Sequence, residues 1–252
     1  QLFISNQRFS PLRNLPLATN FPVASGLPLT TFEIALKLRY AYLENFVENN
    51  YTRHSISTPY PVFEMVIVKG IPNILQSAYR YTKLSFSVKG MIKATPMKSF
   101  KYKIFGGKIA GVVPFTFLEN HAGNDFYVYE PSSYNLINCF EYLSDQYGGI
   151  ILENDLGSGI FQFLPITRKM KLRQFWNVKS LWGSLSNENN QLNNNASFFK
   201  TLNKSTYMEV GTGVDNIYRL FRIDLIWRLL PKPLPVENKN NFGVFGSIHF
   251  QF

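Results

Sequence analysis

The run of side chains best suited to catalysis in this 252-residue sequence is ENHAGND, at residues 119–125. There His121 stands between two carboxylates, and a histidine oriented by an acid can activate a serine for attack on a lipid ester. The run RHS at residues 53–55 contains a serine that would complete such a site. Polar loops often carry these residue types by chance, and nothing in the sequence brings the two runs together. We therefore predict no catalytic residue and no enzyme activity, with a barrel-borne lipid hydrolase or acyltransferase as an alternative.

Nucleotide and metal chemistry have little support in the sequence. Gly211 and Gly213 lack the third glycine and the following helix of a dinucleotide-binding fingerprint. They are typical of a strand that bends or packs closely. Three scattered histidines and the single cysteine, Cys139, give no zinc-ligand spacing and no internal disulfide. The sequence predicts no cofactor and no metal, and we interpret Cys139 as a small residue of a packed strand.

The net charge of +10 raises the question of a nucleic-acid partner. The lysines and arginines are spread along the chain, and no run of five or more basic residues occurs. We therefore predict no nucleic-acid binding. Anionic lipid head groups or a cation-lined barrel interior are the surroundings that this charge favours.

A period of two is the regular pattern that must position all of these side chains. From Phe32 to Tyr42, large apolar residues occupy every second position, which is typical of a β-strand with two unlike faces. The same alternation recurs at residues 79–93, 169–182, 221–229 and 242–252. Weaker strand candidates lie at residues 61–70, 100–111, 135–146, 148–156 and 207–216. We expect about ten strands in antiparallel order.

The composition and the strand lengths favour an all-β fold, an antiparallel transmembrane β-barrel. Aromatic residues make up 16% of the chain and charged residues 17%, a balance that suits an outer surface in lipid. No segment approaches the roughly 18 consecutive apolar residues of a membrane helix, whereas a barrel strand needs only about 9 to 11 residues. A soluble β-sandwich or lipid carrier with an aromatic core is the alternative fold.

Charges on the polar side of the strands are candidates for a network inside the barrel. Such charges either pair to fill and stiffen the interior or line a path for a substrate, and both interpretations stay open. The candidate residues are Arg222, Asp224, Arg228, Lys37 and Arg39.

The domain organisation follows from where the alternation begins. Residues 1–31 lack a clear period and are predicted to be an extended entry segment, followed by one C-terminal β-barrel domain at residues 32–252. Residues 184–205 are rich in asparagine and predict an extracellular loop. Residues 112–133 contain prolines and aromatics, and we expect them to fold either into the lumen or over the mouth of the barrel.

The last strand is an alternating apolar row that ends in a C-terminal aromatic residue, and it resembles the signal by which outer-membrane proteins are recognised for insertion. This pattern predicts barrel assembly machinery as a partner during insertion. The residues of the row are Phe242, Val244, Ile248, Phe250 and Phe252.

Residues 207–228 and 242–252 resemble a known family, with support from residues 37–42, 141–147 and 173–186. They are similar to the C-terminal barrel region of outer-membrane proteins of unknown function that carry a carboxypeptidase-regulatory-like N-terminal domain. That family has no agreed activity and offers no catalytic residues. Its regulatory-like domain has no counterpart in this sequence, and Gln1 follows no signal peptide, so we expect a mature or truncated chain from a larger barrel.

The resemblance implies location and fold, namely the outer membrane of a Gram-negative bacterium and a barrel embedded in its lipids. Within that frame, we predict a non-catalytic component or partner of an envelope complex, contacting other envelope proteins. A passive channel or transport-associated barrel is the alternative.

Overall fold

The computed structural model describes residues 1–10, 29–49, 51–95, 98–163, 170–194, 196, 199–231 and 241–248. Most of these residues form β-strands, and short helices lie in the connections: α1 (Asn187–Leu192) and two 3-10 helices, Phe115–Phe117 and Gly159–Gln162. In chain order the strands are β1 (Leu2–Phe9), β2 (Leu29–Ala41), β3 (Asn45–Asn49), β4 (Thr52–Ser57), β5 (Val62–Gly70), β6 (Tyr81–Thr95), β7 (Lys98–Ala110), β8 (Glu119–Asn120), β9 (Leu143–Ser144), β10 (Gln146–Gly157), β11 (Arg173–Ser184), β12 (Thr206–Ile217), β13 (Phe221–Leu230) and β14 (Phe242–Ile248).

Ten of these strands form one antiparallel sheet in the order β1-β2-β5-β6-β7-β10-β11-β12-β13-β14. The two remaining pairs, β3 with β4 and β8 with β9, are small separate hairpins or ladders. Each strand of the large sheet therefore pairs with the spanning strands nearest to it in the chain, which is an up-and-down order. Within the described residues, β1 and β14 do not pair with each other, so the sheet is not closed there.

The two faces of the sheet differ in polarity because successive side chains of a strand point to opposite sides. On β13, Arg222 and Asp224 are buried, whereas Phe221, Ile223 and Trp227 on the other face stay exposed. We call the polar face the inner face and the apolar face the outer face. Large apolar residues exposed on the outer face include Leu36, Leu38, Tyr40, Phe63, Phe86, Ile104, Ile150, Trp182 and Val244.

The buried core lies between the inner face and the connecting segment of residues 111–145, which we call the plug segment. Tyr134, Ile137 and Tyr142 of this segment pack with Leu181 and Tyr207 of the sheet. Because apolar side chains gather there instead of between two stacked sheets, the soluble sandwich expected as an alternative does not form.

The long connections lie at the end of the sheet where β7 ends and β10 begins, which we call the plug end. Residues 111–145 and 185–205 both connect strands there. At the opposite end, the connections from β6 to β7 and from β12 to β13 are short turns, whereas the connection with the β3–β4 hairpin and the connection of residues 158–172 are longer. Within the described residues, no helix is long and apolar enough to cross a membrane.

Most predicted strands form with bounds close to those expected, but one prediction is wrong. Of the strand predicted at residues 135–146, only the two-residue β9 and the first residue of β10, Gln146, are in strands, because the apolar side chains of this stretch pack onto the inner face from a loop. Cys139 is correspondingly exposed and does not lie in a packed strand.

The start of the sheet lies earlier than the pattern predicts. The entry segment expected at residues 1–31 contains β1, and β2 begins at Leu29. In β1 the outer positions pass from Leu2 and Ile4 to Asn6 and Arg8, so the apolar alternation fades after four residues. Pairing with β2 along the whole strand, from Leu2 to Phe9, holds this polar stretch in the sheet.

Candidate functional site at the plug segment

The plug segment covers the inner face of β10–β13 and keeps its shape through short internal contacts. The two-residue strands β8 and β9 pair near its two ends. Between them, the Asn135 side chain bonds to the backbone of Glu130. Its oxygen accepts the Glu130 N–H at 3.0 Å, and its nitrogen donates to the Glu130 carbonyl at 3.1 Å. Asn124 donates to the same Asn135 oxygen at 2.8 Å. Asparagine and serine suit this role because their side chains bond to nearby backbone groups in turns.

Lys179 of β11 binds the plug segment from the inner face of the sheet. Its side chain is fully buried, and its ammonium group donates to the backbone carbonyl of Glu130 at 3.0 Å and to that of Ser133. The Glu209 carboxylate lies 3.9 Å from the same ammonium group. A buried ammonium ion is stable only when its donors are satisfied, so Lys179 requires the plug carbonyls in these positions.

Glu209 of β12 makes the complementary contact. Its carboxylate is fully buried and accepts the backbone N–H groups of Asn135 at 3.1 Å and Leu136 at 3.2 Å. The Tyr207 hydroxyl donates to it at 2.8 Å. Lys179 thus donates to backbone carbonyls of the plug segment, and Glu209 accepts from its backbone N–H groups. One ion pair therefore provides partners for both acceptors and donors of the plug backbone. We call these two residues the plug clamp.

Beside the plug clamp, Arg222 and Asp224 of β13 form a buried ion pair. Two nitrogens of the Arg222 guanidinium donate to the two Asp224 oxygens at 2.9 and 2.8 Å, a bidentate geometry, and a third lies 3.4 Å from the Glu153 carboxylate. Glu153 also accepts from Lys101 at 3.0 Å. The charges are therefore paired across β7, β10 and β13, which is how an enclosed polar interior is filled.

Tyr129 connects the plug segment to both charge groups. Its ring lies 4.8 Å from the Lys179 ammonium and 4.6 Å from the Arg222 guanidinium carbon. On the other side of Arg222, the Phe175 ring centroid is 3.6 Å away. The guanidinium is thus stacked between a ring of the sheet and a ring of the plug, a cation–π arrangement that is strongest away from water.

The five charges predicted as one lumenal network lie in three places. Arg222 and Asp224 are paired directly, while Arg228 of β13 donates to the Tyr142 hydroxyl of the plug segment at 2.9 Å. Lys37 and Arg39 lie on β2, far along the sheet order, and Arg39 pairs with Glu44 and with Glu64. A role for these residues in filling or conduction stays a prediction.

Lys179, Glu209 and Glu153 form most of the buried charge cluster, but the sequence does not single them out. Lys179 belongs to the polar row of residues 169–182, and nothing in that row predicts that another segment packs over it. The inner row of β12, where Tyr207 and Glu209 precede Gly211 and Gly213, could have predicted a covered face. A charge in a row of an aromatic residue and glycines indicates a face that another segment packs against.

The two glycines are required by that packing, as the sequence predicts. A side chain at Gly211 would bring a Cβ atom to 2.6 Å from Asn177 Oδ1, and one at Gly213 would lie 2.7 Å from the Phe175 ring. Both glycines are in the middle of β12, with no helix following. Because they have no side chain, they leave space on the inner face for the stacked side chains of Phe175 and Arg222.

His121 does form a pair with a serine, but with Ser144 of β9. The two side chains lie 3.0 Å apart, from His121 Nε2 to Ser144 Oγ, and both are buried. Burial, with the nearby charge of Lys83, lowers the pKa of the His121 imidazole to about 4. The run at residues 53–55 lies in β4, at the opposite end of the sheet, so the two predicted halves of a catalytic site do not meet.

A second contact fixes the plug segment at the plug end. Asn189 of helix α1 and Asn193, the residue that ends it, accept the backbone N–H groups of Val113 at 2.8 Å and Phe115 at 2.7 Å through their side-chain oxygens; the Ser186 side chain caps the start of the helix. The connection predicted as an extracellular loop therefore packs against the start of the plug segment. Its location outside the cell stays a prediction.

The predicted insertion row lies on the outer face of β14. Phe242, Val244 and Ile248 are exposed, while Phe245 between them points inward to Tyr129. The last two residues of the row, Phe250 and Phe252, lie outside the described residues. Recognition of the row by an assembly machinery stays a prediction.

The fold has a counterpart among solved structures. A crystal structure of BamA from Haemophilus ducreyi lacking POTRA domains 1-3 is similar over 98% of this chain, with a TM-score of 0.55 and 11% sequence identity. The chain spans half of the length of that structure, 50%. At this identity the likeness concerns the fold alone, and it defines the class as an antiparallel sheet of the β-barrel type. The predicted fold class is confirmed.

The family follows from the sequence. The profile described as "Family of unknown function (DUF5686) C-terminal domain" matches residues 2–190, from β1 into α1. The match covers more than half of the chain, which therefore belongs to this family, and the predicted resemblance is confirmed. No protein of curated function matches the chain in sequence.

Proposed function

We propose that this chain is the C-terminal part of an outer-membrane β-barrel that acts as a non-catalytic component of an envelope complex. The observation that carries the proposal is the plug segment, fixed to the inner face by the plug clamp. A barrel whose interior is filled by a segment bonded to buried charges is suited to contact and scaffolding more than to free passage of solutes.

The outer face supports a location in lipid. Every long strand except β12 keeps at least one large apolar side chain exposed on that face, and Leu38, Phe86 and Val244 are about half exposed, at 49, 51 and 48%. A continuous apolar surface of this extent is unfavourable in water and favourable against acyl chains. The long connections would face the cell exterior and the short turns the periplasm, as in other outer-membrane barrels.

The charges of the inner face support the partner role over the channel role. Lys179, Glu209 and Asp224 are fully buried, and each is bonded to another charge or to the plug backbone. A conducting path needs charges that meet water and ions. Arg228, on the same inner row, is likewise occupied by a plug hydroxyl.

The buried pair of His121 and Ser144 supports the absence of catalysis. Ser144 of the plug segment is fully buried, so an ester carbonyl has no access to its hydroxyl. The pair instead joins His121, the residue after β8, to Ser144 of β9. The non-catalytic proposal predicts that the variant His121→Gln changes no lipid turnover in membranes.

A planar-bilayer measurement on the full-length protein tests the partner role against the channel role. We expect no large steady current from the wild type, and steady currents from the Lys179→Met variant, because loss of the ammonium group releases the plug carbonyls. The matched control is Lys37→Met, a partly exposed lysine of the inner face whose ion pair is with Glu64 of β5. Large steady currents from the wild type would overturn the partner role in favour of a channel.

The barrel itself is tested separately. We expect heat-modifiable migration in gels for the wild type and for both variants, which shows that each is folded. Recovery of the wild type as a soluble monomer without detergent would overturn the membrane location, whatever the conductance result.

A further inference from the structure

The carboxylates of the large sheet lie on one of its two faces. By the alternation of side chains, every Asp and Glu on these ten strands falls on the inner face. They are Glu33, Glu64, Glu153, Asp155, Glu209, Asp215 and Asp224. Several inner cations pair with them, and Lys37, Arg39 and Lys89 share Glu64. On the strands of this sheet, the outer face therefore offers no carboxylate to neutralise a cation.

Three strands nevertheless carry an exposed cation on the outer face close to the plug end. Arg8 lies near the end of β1, Lys69 near the end of β5 and Lys108 near the end of β7. The register sets Lys69 beside Ile34, in the outer row of β2. None of the three cations has an ion-pair partner among the described residues. We call these three residues the cationic band.

The outer row of β7 shows where the cationic band lies relative to lipid. Between Lys98, at the start of the strand, and Lys108, this row has no charge and consists of Phe100, Tyr102, Ile104 and Gly106. Ten residue steps of about 3.4 Å, tilted by about 40°, span roughly 25 Å, the height of the apolar band of an outer-membrane barrel. Lys108 therefore lies at the boundary between acyl chains and head groups at the plug end.

A tryptophan close to the cationic band indicates the same boundary. Trp182, on the outer face of β11, is in register with Gly106 through Gly148 of β10. Its indole N–H donates to the backbone carbonyl of Lys204, in the connection at the plug end, at 2.9 Å. Tryptophan is enriched at the level of the head groups, and lysines at the edge of an apolar surface extend their ammonium groups to that level.

We propose that the cationic band binds the phosphate groups of anionic lipids in the leaflet at the plug end. These cations have no counter-ion on the protein, so a head group phosphate supplies the charge-assisted hydrogen bonds that they lack. Lys69 and Lys108 lie on strands about 10 Å apart, on either side of β6, so neighbouring head groups reach both.

A lipid is favoured over a soluble anion because the cationic band continues an apolar surface. The exposed Phe63 and Met65 precede Lys69 in the outer row of β5, so acyl chains cover these side chains while the head group meets the lysine. The inference rests on the membrane location in the proposed function, and it adds the class of lipid and the side of the barrel that binds it.

The test measures lipid binding by the full-length protein in neutral detergent at low salt. Phosphatidylglycerol is added in mixed micelles, with phosphatidylcholine as the lipid without net charge and inorganic phosphate as the soluble anion. We expect phosphatidylglycerol to bind and to raise the unfolding temperature, with much weaker effects of the other two. High salt should weaken the binding, because exposed charges are screened.

The double variant Lys69→Gln/Lys108→Gln should bind phosphatidylglycerol about 25-fold more weakly, because each lysine near a membrane surface contributes roughly fivefold. The matched control, Lys37→Gln/Lys89→Gln, removes the same charge from the inner face and should bind the lipid as the wild type does. Should the first double variant fail to fold, Lys108→Gln is compared with Lys37→Gln, and we expect a fivefold loss only for Lys108→Gln.

Three results would overturn the proposal. The first is equal binding of phosphatidylglycerol and phosphatidylcholine by the wild type, and the second is binding of inorganic phosphate as tight as that of phosphatidylglycerol. The third is an outer-face variant that loses no more affinity than the inner-face control. Heat-modifiable migration tests the membrane location separately, so a wild type that migrates as a barrel without preferring the anionic lipid contradicts this inference alone.

Discussion

On β10–β13 the charges of the inner face are covered by the plug segment, whereas on β2–β7 they are partly open. Lys179 is fully buried and bonded to two plug carbonyls, while Lys89 keeps 51% of its side chain exposed and meets only a shared carboxylate. Both lysines occupy the polar positions of alternating strands. The position of a charged residue in a strand therefore decides which face of the sheet it lies on. Whether a further segment packs over that face decides how much the charge contributes to stability.

The largest expected effect comes from breaking the plug clamp. Lys179→Ala leaves the Glu209 carboxylate buried without its counter-ion and removes one donor from each of two plug carbonyls, so we expect a loss of about 3 to 5 kcal/mol in unfolding free energy. Lys37→Ala on the open side should cost at most about 1 kcal/mol, as an exposed ion pair does. Denaturant unfolding in detergent measures both. Equal losses at the two lysines would contradict the contrast between the covered and the open face.

An intermediate effect should appear as a pH dependence of stability. The pKa of His121 is about 4 in the folded protein, below the ordinary value of 6.5, so the unfolded chain takes up a proton first as pH falls. The stability contribution is complete above pH 6.5 and decreases down to pH 4, by about 3 kcal/mol at most, since one pKa unit is worth about 1.4 kcal/mol.

The variant His121→Gln keeps a polar partner for Ser144 but removes the titration. Unfolding curves of the wild type and the variant at several pH values therefore separate this histidine from the carboxylates of the sheet. If both proteins lost stability in parallel between pH 6.5 and pH 4, the pH dependence would not come from the burial of His121.

The smallest effect concerns the ring that joins the plug segment to the charges. Tyr129→Leu removes cation–π contacts to Lys179 and Arg222 and should cost about 1 to 2 kcal/mol. Tyr129→Phe should cost almost nothing, because the buried hydroxyl has no hydrogen-bond partner within the described residues. The same unfolding measurement decides. A phenylalanine variant as unstable as the leucine variant would assign the contribution to the hydroxyl instead of the ring.

The sheet and the polarity of its faces follow from the local sequence pattern. A period of two is local, and it fixes which side chains share a face before any tertiary contact forms. The alternation around Phe32–Tyr42 and in β13 therefore predicted both strands and the inward direction of Arg222 and Asp224. It also separated the apolar outer row of β14 from Phe245.

Only the tertiary structure decided what covers those faces. The plug segment has no period, since its shape comes from Asn135, from the short ladder of β8 and β9, and from contacts to β11 and β12 that are distant in the chain. For this reason residues 135–146 were mistaken for a strand. For the same reason Lys179 and Glu209 could not be distinguished from open lysines and glutamates, because burial of a charge depends on a segment that packs over it, and local sequence does not encode that packing.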